Sequence, residues 1–255
     1  MKKIIVLRKY KQIYVEDNKC YKVFNPGYNV GDILNEALNQ ARVSETDLNI
    51  PALLAVETID DSWAIVTENV EGKTLAELMK ENPESINELL ERFIDLQINM
   101  QNKKCPLLSK HNDKMNRKIC ETDLPSTLRY ELHARIEAMP KHNYLCHGDF
   151  NPSNVIIDKN DTAYIVDWSH ATQGNREADS ARTFLLFLLD KQDKVAKKYL
   201  DLYCQKTDCN YFDILNWLPI LAASQSVKGK KNESDFLNQL IFMDSEGLKQ
   251  LYEKL

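Results

Sequence analysis

The sequence predicts an α+β protein in two parts, a strand-rich front over residues 1–70 and a mainly helical remainder over residues 71–255. Three observations carry this. Short β-branched and aromatic segments, broken by Asp, Asn, Pro and Gly, fill the front. From Thr74 onward, apolar residues recur at helical spacing. Between those helices one stretch departs from the pattern: Val155-Ile156-Ile157 and Ala163-Tyr164-Ile165-Val166, split by the polar Asp158-Lys159-Asn160-Asp161, read as a small hairpin.

In order, residues 3–8, 12–16 and 20–24 have strand character, and Asp17-Asn18 and Asn25-Pro26-Gly27 break the run. In the third segment Cys20, Lys22 and Phe24 share one face. A helix follows over residues 30–44, with Ile33, Leu34, Ala37, Leu38 and Ala41 as its apolar stripe. Residues 52–57 and 63–68 are two more strands. Thr74 with Glu77 is a capping box that opens the helical part. Helical periodicity then covers residues 87–101, 126–139, 178–189, 195–204, 212–227 and 234–255, and the Leu/Phe run 184–189 reads as a buried core helix. Lys228-Gly229-Lys230-Lys231 reads as a solvated basic loop.

The chemistry concentrates around the hairpin. His147-Gly148-Asp149-Phe150-Asn151-Pro152-Ser153-Asn154 places Asp149 and Asn154 on one loop, and Asp167 closes the second strand. Phosphoryl transfer needs such a set: one carboxylate to orient or deprotonate the attacking hydroxyl, and two oxygen ligands for the Mg²⁺ that neutralises the phosphates. The Asp-x-x-x-x-Asn spacing is that of a kinase catalytic loop, with Asp167 standing where the metal-binding Asp would stand.

On those residues, with Trp168, the sequence resembles the aminoglycoside phosphotransferases and choline-kinase-like small-molecule kinases, relatives of the protein kinases. The resemblance implies a two-lobed protein-kinase-like fold, with an antiparallel-sheet nucleotide lobe over residues 1–70. It implies ATP or GTP as donor, Mg²⁺ held by Asn154 and Asp167, and Asp149 as the catalytic carboxylate addressing a hydroxyl of a small molecule. It makes Lys22 the strand lysine that contacts the α- and β-phosphates, Glu36 its helix partner, and Cys20 the residue against the base. Glu68 to Val70 becomes the hinge that meets the purine edge through its backbone. Asp179 and His147 would hold the catalytic loop, Trp168 would pack, and His170 would be a surface residue. One departure matters: protein kinases cover the phosphates with a glycine-rich turn, but residues 8–12 contain no Gly. Lys9 or Lys11 would have to substitute for the missing backbone amides.

Composition agrees. A net charge of −5 offers no basic field for nucleic acid or an anionic membrane. No apolar run reaches membrane-span length, and the first residues have too short an apolar core for a signal peptide, so a cytoplasmic protein is expected. Six cysteines without a CxxC pair read as reduced thiols.

Two other classes compete. A metal-dependent hydrolase would use His147, Asp149, Asp167 and His170, but these spacings form no helical His pair and leave Asn154 idle. A degenerate kinase fold serving as a binding or regulatory module fits the absent glycines but not the retention of Lys22, Asp149, Asn154 and Asp167 together. For the acceptor, residues 190–255 hold ten acidic and ten basic residues, so no acidic excess awaits a polycationic sugar. Tyr199, Tyr203, Tyr211, Phe212 and Trp217 offer cation–π surfaces for a quaternary amine, although their spacing also suits a core. Only residues 168–177 separate Asp167 from the next helical pattern, and no Ala-Pro-Glu follows. That is too short for a peptide platform and points to a small acceptor.

Overall fold

Asp17 and Asn18 (φ 49° and 59°) and Asp60 and Asp61 (φ 48° and 61°) take the left-handed backbone that a two-residue hairpin turn requires. The first pair joins β2 (Lys11–Glu16) to β3 (Lys19–Phe24), and the second joins β4 (Leu53–Ile59) to β5 (Ser62–Glu68). With β1 (Lys3–Leu7) these strands form an antiparallel sheet in the order β1-β2-β3-β5-β4. The register sets Lys22 between Ile13 and Ile65. This is a computed structural model, and it describes residues 2–7 and 10–255. The chain divides into two compact units, Met1–Leu89 with Pro152–Ala171, and Leu90–Asn151 with Thr172–Leu255.

In the first unit, helix α1 (Val30–Val43) starts at Asn29, whose side chain accepts from the Asp32 amide at 3.2 Å. Its buried face differs from the expected stripe. Ile33, Ala37, Asn39, Gln40 and Val43 are buried, while Leu34 and Leu38 are both 46% exposed. Specific polar partners override the apolar pattern here. Gln40 donates to the Pro51 carbonyl at 2.6 Å, and Asn39 donates to the Trp168 carbonyl at 3.3 Å. The rotated face brings Glu36 toward the sheet. Phe24, Ile33, Ala37 and Ile65 form the core beneath α1, and truncating Phe24 to Ala would cost about 3–5 kcal/mol.

β6 (Gly72–Thr74) and α2 (Leu75–Glu81) complete the first pass of this unit, with the Thr74–Glu77 capping box formed. β6 pairs with β8 (Val155–Asp158), which pairs with β9 (Ala163–Ile165). This pairing draws residues 152–171 back into the first unit, so they and residues 71–89 fold with the front sheet instead of with the helical part. The Asp158 side chain organises the hairpin turn by accepting from the Asn160 and Thr162 amides at 2.9 and 2.8 Å.

The second unit is helical: α3 (Ile86–Gln101) from Leu90 onward, α4 (His111–Cys120), α5 (Ser126–Ala138), α6 (Arg176–Leu189), α7 (Asp193–Thr207), α8 (Tyr211–Leu215), α9 (Leu218–Ser226), α10 (Ser234–Ile241) and α11 (Ser245–Lys254). A short antiparallel pair, β7 (Tyr144–Cys146) with β10 (Thr172–Gly174), lies among them. The expected helix 212–227 is broken before α9, where Pro219 sits in the first turn. The expected helix 234–255 is broken before Asp244, which caps α11. Phe184, Leu185, Phe187 and Leu188 are buried, as the run 184–189 foretold. Among the described residues no helix is long and apolar enough to cross a membrane.

Candidate active site

Lys22 is buried at the centre of the front sheet, and its ammonium group is shared by two carboxylates. It donates to Glu36 Oε1 from α1 and to Asp167 Oδ1 at 3.0 Å. Burial alone would push a lysine toward neutrality, yet the two carboxylates reverse this and hold Lys22 firmly protonated. Burial raises the Glu36 carboxyl above its usual range, opposed by Lys22. Asp167 is pulled the other way. Burial pushes it up, but Lys22 and Lys11 overcome that and keep it well below the usual carboxylate range. Lys11, at the start of β2, places its ammonium 3.8 Å from Asp167 Oδ2.

Asp167 has φ 63°, an αL backbone that Asp tolerates better than most residues and that turns the chain sharply after β9. Ser169 Oγ donates to its Oδ1 at 2.9 Å. Asn154 immediately precedes β8, and its carbonyl accepts from the Val166 amide at 3.0 Å, so the hairpin sets Asn154 and Asp167 at one end. Both offer hard oxygen donors, which suit Mg²⁺ and not a soft thiolate-seeking metal. Trp168 is fully buried, and its indole N–H donates to the Ile165 carbonyl at 3.1 Å, a packing arrangement.

Asp149 belongs to the second unit, where its loop is anchored by a buried polar network. Gly148 adopts φ 75°, which a side chain would strain. Its amide donates to Asp179 Oδ1 at 2.8 Å, and its carbonyl accepts from Arg182 Nε at 3.4 Å. Asp179 Oδ2 accepts from Gln101 at 3.0 Å and Gln97 at 3.4 Å. Those glutamines accept in turn from Tyr203 at 2.7 Å and Tyr199 at 2.6 Å. Thr183 Oγ1 donates to the Phe150 carbonyl at 2.8 Å, and the Asp149 amide donates to His147 Nδ1 at 3.2 Å. The Asp149 carboxylate meets Arg182 Nη2 at 3.5 Å and the Asn151 amide at 3.4 Å. Tyr199 and Tyr203 are thus core hydrogen-bond donors, not open cation–π surfaces.

Three cations are gathered electrostatically around Asp149: Arg182 from α6, Lys114 from α4 and Lys228 just after α9. Burial, then Arg182 and Lys228, push Lys114 down to about 7. Burial, then Arg182, push Lys228 down to about 8. The sequence assigns no role to Gln97, Gln101, Lys114 and Arg182, and it reads Lys228 only as part of a solvated basic loop. Gln97 and Gln101 stand four apart on a helix otherwise apolar on that face, and Tyr199 and Tyr203 repeat the spacing on α7, a readable signal of paired buried polar groups. The cations carry no such signal, because α4, α6 and α9 meet only in the folded unit.

Cys20 lies two residues before Lys22 on the same strand face, half-buried, and burial raises its thiol pKa. At the end of β5 the Glu68 amide donates to the Ala52 carbonyl at 2.9 Å. The Val70 amide makes no hydrogen bond among the described residues. Lys9 lies outside the described residues.

A strand lysine paired to a helix glutamate and to the Asp that follows a β-hairpin is the arrangement of a phosphotransferase of the kinase-like class. The chain belongs to the phosphotransferase enzyme family, whose model matches residues 8–215. Among solved structures it is similar to aminoglycoside phosphotransferase APH(4)-Ia, with TM-score 0.70 and 13% identity over 99% of this chain and 93% of that one. A structure of a thermostable mutant of that enzyme is a ternary complex with AMP-PNP and hygromycin B; it matches with TM-score 0.68 and 13% identity over 99% of this chain and 93% of that one. Choline kinase LicA from Streptococcus pneumoniae matches with TM-score 0.64 and 15% identity over 97% and 94% of the two chains. These likenesses show the kinase-like fold. No curated protein matches the chain in sequence.

Proposed function

We propose that this protein transfers the γ-phosphoryl group of ATP or GTP, as its Mg²⁺ complex, to a hydroxyl of a small molecule. The observation that carries the proposal is the Lys22–Glu36–Asp167 cluster. Glu36 and Asp167 hold the Lys22 ammonium extended and charged, the state in which it can grip α- and β-phosphate oxygens. Lys11, beside Asp167, supplies the second cation that the glycine-free turn calls for. Asn154 and Asp167 would hold Mg²⁺, which when bound neutralises phosphate charge. Glu68 and Val70 would meet the purine edge, the free Val70 amide acting as donor, with Cys20 against the base.

Asp149 addresses the acceptor. Its carboxylate accepts the hydroxyl proton as the acceptor oxygen bonds to Pγ and the bond from Pγ to the bridging oxygen breaks, leaving the nucleoside diphosphate. The His147 ring and the Asp179–Gln97–Gln101 network hold that loop still while this happens. The nucleotide analogue in the APH(4)-Ia complex and the AMP in a LicA complex support a nucleotide donor. Phosphorus NMR of reactions with Mg-ATP or Mg-GTP and a metabolite extract should show a new phosphomonoester with loss of the γ-phosphate. Labelling of added proteins, with no small phosphorylated product, would overturn the proposal.

A further inference from the structure

The neighbours named above act on, or are seen with, cationic molecules, and a choline or aminoglycoside site needs negative charge or open aromatic faces. The surroundings of Asp149 offer the opposite. Arg182 is buried, with its guanidinium against the Asp149 carboxylate at 3.5 Å and its Nε against the Gly148 carbonyl at 3.4 Å. α4 packs on α9 and α9 on α6, and this packing brings Lys114 and Lys228 to the same place. The nearby carboxylates are already engaged. Asp179 accepts from Gly148, Gln97 and Gln101, and Glu233 accepts from Lys230 and Gln225, both at 2.7 Å. Among the described residues the Lys228 ammonium makes no hydrogen bond or ion pair, although it lies within electrostatic reach of Asp149 and Arg182. One carboxylate therefore stands among three cations.

Resting on the phosphotransferase reading, we infer that the acceptor is itself an anion, a hydroxylated small molecule carrying a carboxylate or a phosphate that Lys228 and Lys114 hold while Asp149 takes the hydroxyl. An ammonium on the acceptor would be repelled by the same groups. Burial and Arg182 pull Lys228 down to about 8, so an oxyanion set beside it would be favoured by the charge it restores.

The test uses the full chain and four probes on one carbon skeleton: glycerol, its amino analogue 3-amino-1,2-propanediol, glycerate and glycerol 3-phosphate. Each is measured as acceptor with Mg-ATP and for binding to protein saturated with Mg-ADP. Glycerate or glycerol 3-phosphate should bind at least about tenfold more tightly than the neutral and ammonium probes, and whichever is preferred separates a carboxylate from a phosphate site. Lys228→Glu should weaken anion binding by about tenfold with the KM for Mg-ATP unchanged, and Lys228→Arg should retain it. Equal or tighter binding of the ammonium probe overturns the inference, as does an effect of Lys228→Glu on Mg-ATP alone. Failure of Mg-ATP and Mg-ADP to bind at all would instead overturn the phosphotransferase reading itself.

Discussion

Asp167 in the first unit is held by two ammonium groups, Lys22 at 3.0 Å and Lys11 at 3.8 Å. Asp149 in the second meets the Arg182 guanidinium at 3.5 Å and the Asn151 amide at 3.4 Å, with Lys114 and Lys228 within electrostatic reach. The first cluster is balanced, two lysines against Glu36 and Asp167, and each charge is compensated by direct contact. The second has a surplus of cations and a loop fixed by a chain of amides and phenols reaching from Tyr203 through Gln101 to Asp179. A balanced cluster suits a site that must exchange partners with a polyanion and its metal without leaving a buried charge bare. A neutral network suits a carboxylate that must stay in place yet remain available to a proton.

The sharpest way to break this contrast is to neutralise each carboxylate in turn. Asp149→Asn should lower kcat by about 10²–10⁴ while leaving nucleotide binding near that of the parent, because the amide can still meet Arg182 and Asn151 through its oxygen but cannot accept the hydroxyl proton. Single-turnover kinetics with calorimetric nucleotide titration would show it. A wild-type rate in Asp149→Asn would remove that residue from the mechanism.

Asp167→Ala should act on the donor side. It removes the proposed metal oxygen ligand and one of the two anions holding Lys22, so Mg²⁺-dependent binding of a non-hydrolysable ATP analogue should fall by about tenfold or more. If binding is metal-independent and unchanged in this variant, the two clusters do not divide the work as proposed.

Gln101→Leu probes the neutral network. It removes the Gln101 acceptor of the Tyr203 hydroxyl, a donor to Ser180 Oγ and the shorter of two glutamine bonds to Asp179 Oδ2, and each buried group left unpaired costs about 1–3 kcal/mol. A lower melting temperature should accompany a reduced kcat with the KM for nucleotide unchanged. Loss of stability without loss of kcat would show that the network stabilises the helices but does not position Asp149.

The difference between the clusters also explains what could be read from sequence. Asp149, Asn154 and Asp167 stood out because phosphoryl transfer demands those side-chain types at a short spacing, and the hairpin between them is local. The α+β fold and its kinase-like class followed from the same residues and from strand and helix periods. Glu36 was less visible, since the apolar stripe suggested that Leu34 and Leu38 face inward, whereas Asn39 and Gln40 rotate the helix through backbone contacts distant in sequence. The β7–β10 pair joins segments on either side of the hairpin and has only three residues per strand, too few for an alternation to declare itself. Lys114, Arg182 and Lys228 come from three helical regions, and nothing local marks a lysine that will face a carboxylate from one that will face water.

The smallest expected effect is a proton, and it bears on the surplus charge around Asp149. Lys114 sits near 7 because burial and the cations Arg182, Lys228 and Arg117 outweigh Asp149. Lys228 sits near 8 because burial, Arg182 and Lys230 outweigh Asp149 and Glu233. Below about pH 6 both are fully charged, and an anion binds without changing their protonation. As pH rises through these values the free protein loses protons that an anion would restore, so binding takes protons up and affinity falls with increasing pH, at most about tenfold per pH unit for each proton. Glycerate serves as the probe because its own carboxyl does not titrate in this range. Calorimetry on Mg-ADP-saturated protein, in two buffers of different ionisation enthalpy, should show net proton uptake at about pH 8 and none at about pH 6, with the uptake reduced in Lys228→Met. Proton release, or a binding heat independent of buffer at both pH values, would mean that these lysines do not meet the anion and that the charge around Asp149 serves the loop alone.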